Sequence, residues 1–141
     1  GVEVSYKSFE YSDTLLRKES NFDHDQLENY MLYDYYNDDV KLYRKSLYSA
    51  TGELLNYTNI EYFVNNFERH NHFTGTHVFT GYEVFEYDNN GSINRSLVYD
   101  ATGKLISYIQ YSYNQAEQLD SSSEYDAEGK LLKNNKFVYN D

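Results

Sequence analysis

The chain has 141 residues with 23 acidic and 12 basic side chains, a formal net charge of −11, and it contains no cysteine. That length predicts one domain spanning residues 1–141. The charge disfavours a nucleic-acid partner, whose phosphates it would repel. The lack of cysteine excludes a disulfide framework, a thiolate metal centre and a cysteine nucleophile. No apolar run is long enough to span a membrane as a helix. The 18 tyrosines and 8 phenylalanines, with no tryptophan or proline, suit a pleated, half-buried sheet surface.

Along the chain, an aromatic anchor recurs at Tyr11, Phe22, Tyr36, Tyr48, Tyr62, Phe73, Tyr87, Tyr99, Tyr113, Tyr125 and Tyr139. Short steps of 11 or 12 residues alternate with steps of 14. Self-similarity at a fixed period is the mark of a repeat architecture. Each anchor opens a turn signal, as in Tyr48-Ser-Ala-Thr-Gly52-Glu-Leu54 and Tyr87-Asp-Asn-Asn-Gly91-Ser-Ile93. The same pattern returns in Tyr99-Asp-Ala-Thr-Gly103-Lys-Leu105, Tyr113-Asn-Gln-Ala-Glu117-Gln-Leu119 and Tyr125-Asp-Ala-Glu-Gly129-Lys-Leu131. Asp or Asn suits the start of a type I turn, and glycine suits the left-handed position that follows. The pattern predicts an all-β fold: an antiparallel up-and-down meander of about eleven short strands, as one curled sheet. A closed barrel or a sandwich is the alternative.

Local expectations follow from the same arithmetic. Tyr99 pairs with Leu105, Tyr87 with Ile93 and Tyr125 with Leu131. Even spacing keeps every anchor on one face. Asp23 to Tyr30 is the only stretch that tolerates a helical turn. Asn65-Asn66 reads as a two-residue turn. If Thr74-Gly75-Thr76 is the turn, Phe73 pairs with His77, which then lies on the opposite face from His70 and His72.

Tyr99-Asp100-Ala-Thr-Gly103-Lys-Leu105 and Tyr125-Asp126-Ala-Glu-Gly129-Lys-Leu131 resemble the Tyr-Asp (YD) repeats of Rhs-type shells and teneurin-like proteins. They are more similar still to short YD-like repeats in secreted proteins of gut Bacteroidetes. That resemblance implies a continuous sheet without catalytic residues of its own, and an extracytoplasmic setting: secreted, periplasmic or on the cell surface. The chain is too short to enclose a passenger as the large shells do.

Three groups of residues could carry chemistry. Alternate strand residues share a face, so His70 and His72 could be paired metal ligands, with Glu68 as a third; the plainer reading is exposed imidazoles on a polar hairpin. Lys18, Arg44, Arg69 and Arg95 each stand four residues before a short-unit anchor. They should form a basic column, with Arg44 facing Asp34, Arg95 facing Phe85, and Ser121 at the fifth position. The column reads either as cross-strand ion pairing with cation–π packing or as a groove for an anionic or carbohydrate ligand. Tyr111, with Tyr33, Tyr35, Tyr57, Tyr108 and Tyr113, could stack on sugar rings or on a partner protein. The acidic turns Asn37-Asp38-Asp39 and Asp88-Asn89-Asn90 spell no complete calcium loop.

No nucleophile elbow, phosphate loop or His-Glu-x-x-His motif is present, so no enzyme and no cofactor are expected. The favoured reading is a non-catalytic binding or structural repeat module, with a protein or a glycan as partner, or a second copy in a homodimer. The alternatives are a carbohydrate or metal site near His70 and His72, and a self-assembling shell fragment.

Overall fold

A computed structural model describes residues 4–36 and 40–139; the Asn37-Asp38-Asp39 turn lies outside them. Every element is a strand: β1 Ser5–Ser12, β2 Leu15–Asp23, β3 Gln26–Tyr35, β4 Leu42–Ser49, β5 Leu54–Phe63, β6 Phe67–Thr74, β7 Phe79–Tyr87, β8 Ile93–Asp100, β9 Leu105–Tyr113, β10 Leu119–Asp126 and β11 Leu131–Lys136. They form one eleven-stranded antiparallel sheet in sequence order, which does not close into a barrel. Among the described residues no helix is long and apolar enough to cross a membrane. The strands divide into two compact units, one running to Ile60 with Asn71–Thr80, the other comprising Glu61–His70 and the chain from Gly81 onward.

The turns explain the periodicity. At Asp100 the backbone N–H donates to Lys104 O (3.0 Å) and Gly103 N–H donates to Asp100 O (3.1 Å). Asp100 Oδ1 accepts from the N–H groups of Thr102 (2.8 Å) and Lys104 (3.0 Å). Those contacts, led by the Thr102 hydroxyl, hold the Asp100 carboxyl below the usual carboxylate range. Asp88, Asn114 and Asp126 repeat the same arrangement. Gly103 takes φ +84, where a Cβ would crowd the following carbonyl. Glu117 takes the same place at φ 59 without being glycine.

The expected pairs Tyr99–Leu105, Tyr87–Ile93 and Tyr125–Leu131 are present. Beside each of them the register shifts by one residue. That extra residue is a β-bulge, and it breaks the two-residue alternation. Two expectations fail for this reason. Arg95 faces Glu86 rather than Phe85, and Phe85 faces Ser96. The anchors do not keep to one face. Tyr99 and Tyr125 stack on Tyr82 and Tyr108, whereas Tyr87 and Tyr113 alternate with Glu86 and Ser112 and leave the sheet on the other side.

Three further expectations are corrected. Asp23–Tyr30 holds no helical turn: His24 and Asp25, at φ 47 and 62, close a two-residue hairpin between Asp23 and Gln26. Both central residues are left-handed, as such a tight turn requires. The turn at Asn65-Asn66 spans three residues, Val64 to Asn66, with Asn66 at φ 57. The third turn runs from Thr74 to His77. His77 N–H donates to Thr74 O (3.0 Å), Thr74 N–H donates to Val78 O (2.9 Å), and His77 stands at φ 66 where other turns use glycine. Gly75 serves a different need, since a Cβ there would lie 1.9 Å from Leu54 O.

The core is thin. Among the described residues only Tyr57, Ile60 and Leu97 are buried hydrophobics, and no large side chain is completely enclosed. Stability comes instead from ladders along the sheet faces.

Candidate functional site

A five-member ladder recurs every 24 to 27 residues. On each odd strand from β1 to β9 a tyrosine stacks on the anchor of the next strand: Tyr6 on Phe22, Tyr30 on Tyr48, Tyr57 on Phe73, Tyr82 on Tyr99 and Tyr108 on Tyr125. The ring centroids are 4.6 to 5.2 Å apart, with interplanar angles of 5° to 14°. Such a pair is worth about 0.5–1.5 kcal/mol beyond its buried area. The phenol of each tyrosine reaches over the left-handed residue of the next turn. A Cβ on Gly52, Gly103 or Gly129 would sit 3.6 to 3.8 Å from the hydroxyls of Tyr30, Tyr82 and Tyr108. In the third repeat His77 occupies that position and its Nδ1 is 3.2 Å from the Tyr57 hydroxyl.

The predicted basic residues belong to this ladder. Lys18 Nζ lies 3.2 Å from Glu10 and 5.0 Å from the centroid of the Tyr30 ring. Arg44 faces Asp34, donates from Nε to Asn59 (2.8 Å), and lies 4.8 Å from the Tyr57 centroid. The Arg69 guanidinium sits 3.9 Å over Tyr82, and its buried Nε–H finds no acceptor among the described residues. Arg95 binds Glu86 through two parallel bonds, Nε to Oε2 (2.9 Å) and Nη2 to Oε1 (3.0 Å). The chain therefore places these cations against tyrosine rings and carboxylates.

A second signal accompanies the cations. Four residues after each ladder tyrosine stands Glu10, Asp34, Glu61, Glu86 and finally Ser112. Four residues before each stacking anchor stands Lys18, Arg44, Arg69, Arg95 and finally Ser121. Glu10 pairs with Lys18, Asp34 with Arg44 and Glu86 with Arg95 across their strands. In the fifth repeat the paired residues are Ser112 and Ser121, whose hydroxyl oxygens are 2.6 Å apart. Two long charged side chains are thus replaced together by two short neutral ones. The sheet is hollowed there into an open depression of about 430 Å³. Glu86, Arg95, Gln110, Ser112, Ser121 and Ser123 line it. The acid column was missed from the sequence because, without the bulge residue, Glu86 counts onto the wrong face.

Tyr111 borders the same depression as Arg95, but the two side chains leave the sheet on opposite faces. Arg95 is opposite Gln110, so Tyr111, the next residue in β9, turns its side chain to the other face. Its hydroxyl lies 3.4 Å from the buried Ser96. Tyr113 on that face donates to Ile93 O (2.7 Å). In the other unit Tyr35, rather than the anchor Tyr36, makes the corresponding bond to Leu16 O (3.0 Å).

The histidines have partners of their own. His70 Nε2 is 3.0 Å from Glu68 and the ring lies against Phe85. His72 Nδ1 is 3.0 Å from the Thr58 hydroxyl. Among the described residues no group of three His, Asp or Glu side chains stands where it could hold a metal ion. Burial and the neighbouring Glu68 push Tyr87 up to about 12. Burial and a hydrogen bond to Glu19 do the same to Tyr33.

No family model matches the chain, and no curated protein matches it. Among solved structures it is similar to a protein of unknown function from Bacteroides fragilis, with 14% identity and a TM-score of 0.57, over 76% of this chain and 91% of that one. This likeness shows the fold. A porin-like protein from Bacteroides uniformis aligns at 14% identity and a TM-score of 0.42, over 92% of this chain; the chain spans 48% of that protein. A TcdB2–TccC3–TEV protein aligns at 12% identity and a TM-score of 0.23, over 98% of this chain and 10% of that one.

Proposed function

We propose that this protein is a non-catalytic binding module of the YD-like repeat type, working outside the cytoplasm and presenting one specialised repeat to a ligand. A single observation carries the reading. Lys18, Arg44, Arg69 and Arg95 are engaged within the ladder, whereas the fifth repeat gives up its charged pair and leaves a polar depression. Catalysis by acid and base would call for two titratable groups facing a water-excluding pocket. Here the depression is open, and its only charged walls, Glu86 and Arg95, already neutralise each other.

The test is affinity electrophoresis in gels cast with a panel of soluble polysaccharides, run beside chromatography of the same mixtures for released products. Retardation by at least one polysaccharide without product is expected. Product release would overturn the non-catalytic reading, and no retardation by any of them would overturn glycan binding.

A further inference from the structure

The Ser112–Ser121 substitution points to more than a gap. Removing only one partner of an ion pair leaves an uncompensated charge; here both partners changed, and the hydroxyls bond to each other. The result is a neutral notch edged by side chains that both donate and accept. The Ser112, Ser121 and Ser123 hydroxyls do both, and the Gln110 amide does the same with separate atoms. Asn134 Nδ2 donates to Ser123 Oγ (3.1 Å) from the neighbouring strand, which holds that oxygen in place. Arg95 commits Nε and Nη2 to Glu86 and keeps its remaining N–H groups as further donors.

An apolar platform adjoins the notch. Tyr108 stands two residues before Gln110 and Tyr125 two residues after Ser123, so both share the notch's face. They form one stacked pair with centroids 5.0 Å apart. Clustered hydroxyls and amides beside an aromatic surface match a ring that carries equatorial hydroxyls on its rim and C–H groups on its face. The volume falls in the range of small-molecule sites.

Charge selects among such ligands. The Arg95–Glu86 pair is closed on itself, and the chain as a whole carries −11. An anionic sugar would find no unneutralised cation and would meet a repulsive field. We propose that the notch formed by Ser112, Ser121, Ser123 and Gln110 binds a neutral pyranose unit of a glycan, with Tyr108 and Tyr125 as its stacking platform. The proposal rests on the module reading and specifies its site and ligand class.

The test compares the wild-type chain with two variants by calorimetric titration. The probes are maltotetraose, cellotetraose, mannotetraose and tetragalacturonate. S112E/S121R rebuilds the ion pair found elsewhere in the ladder, fills the notch and should melt at or above the wild-type temperature. Gln110→Ala removes one exposed amide without touching the ladder. At least one neutral tetrasaccharide should bind the wild type more tightly than tetragalacturonate. Its affinity should fall at least about tenfold in S112E/S121R, the equivalent of one or two lost hydrogen bonds, and by less in Gln110→Ala. Equal binding by S112E/S121R, preference for the uronate, or no binding of any neutral probe would overturn the proposal. Retardation of S112E/S121R by the same polysaccharides as the wild type would refute the notch and leave the module reading standing.

Discussion

Replacing Gly75 with alanine tests how the turn from Thr74 to His77 is seated. A Cβ on Gly75 would lie 1.9 Å from Leu54 O, 2.8 Å from Leu54 C and 3.1 Å from Leu55 O. All three are backbone atoms and cannot rotate away. The turn must lift, and the bond from Gly75 N–H to Leu55 O, 2.8 Å long, lengthens or breaks. Overpacking of this kind costs about 1–3 kcal/mol, and the lost hydrogen bond adds about 1 kcal/mol. Alanine returns about 0.4–1 kcal/mol by restricting the unfolded chain. The net loss is about 2–3 kcal/mol, a large part of the roughly 5–15 kcal/mol that holds a domain together. Gly91→Ala is the matched control. It has φ +83 but nothing within 4 Å of its Cβ, so only the left-handed backbone cost of about 1–2 kcal/mol applies, less the same entropic return. In urea, at roughly 2 kcal/mol per molar, the Gly75 variant should unfold about 1 M or more below the wild type. The Gly91 variant should shift by less, at most about 0.8 M. Equal shifts, or a larger one at Gly91, would refute the close-approach reasoning.

Other outcomes follow from the ladder. His77→Gly removes a left-handed strain and the contact to Tyr57 together, so its melting temperature should stay close to wild type; His77→Val, β-branched at φ 66, should lose about 2 kcal/mol or more. Tyr33 and Tyr87, pushed up to about 12, should ionise well above the ordinary tyrosine value in an absorbance titration, and Tyr33→Phe or Tyr87→Phe should remove part of that late phase. Because the folded values are raised, their stabilisation is complete below the ordinary value of about 10 and is lost as the pH climbs toward 12. Glu19, held below the usual carboxylate range first by Lys7, works in the opposite sense: its stabilisation is complete above its ordinary value and is lost as the pH falls through the folded one. Tyr33→Phe should weaken that acid-side dependence. A double-mutant cycle with Glu86→Gln and Arg95→Met should give a coupling of only about 0.5–1 kcal/mol, since the side chains are 36% and 40% exposed.

The strand count, the strand order and the turns at Tyr87, Tyr99, Tyr113 and Tyr125 were legible because one turn chemistry recurs with fixed spacing, and local preference and global pattern agree. What misled was the bulge. It adds a residue beside each turn without leaving a composition signal, so counting by twos placed Arg95 opposite Phe85 and kept all anchors on one face. Gly75 misled in another way. It is glycine because Leu54 lies against it, yet glycine in a polar stretch reads as the centre of the turn, which His77 actually completes. The basic column was visible through its cations, and the plainer reading of it, cation over tyrosine, describes Lys18, Arg44 and Arg69. The depression was not legible. Ser121 showed only as the place where the basic column stops, and Ser112 gains meaning only when strand pairing sets the two where Glu86 and Arg95 stand one repeat earlier.

The most direct measurement is a map of backbone amide shifts in the ¹⁵N-labelled chain during titration with the neutral tetrasaccharides. The responding amides should cluster at residues 110–112 and 121–123, with Tyr108 and Tyr125 at the margin. A response centred on His70 and His72, or none at the fifth repeat, would contradict binding at the notch.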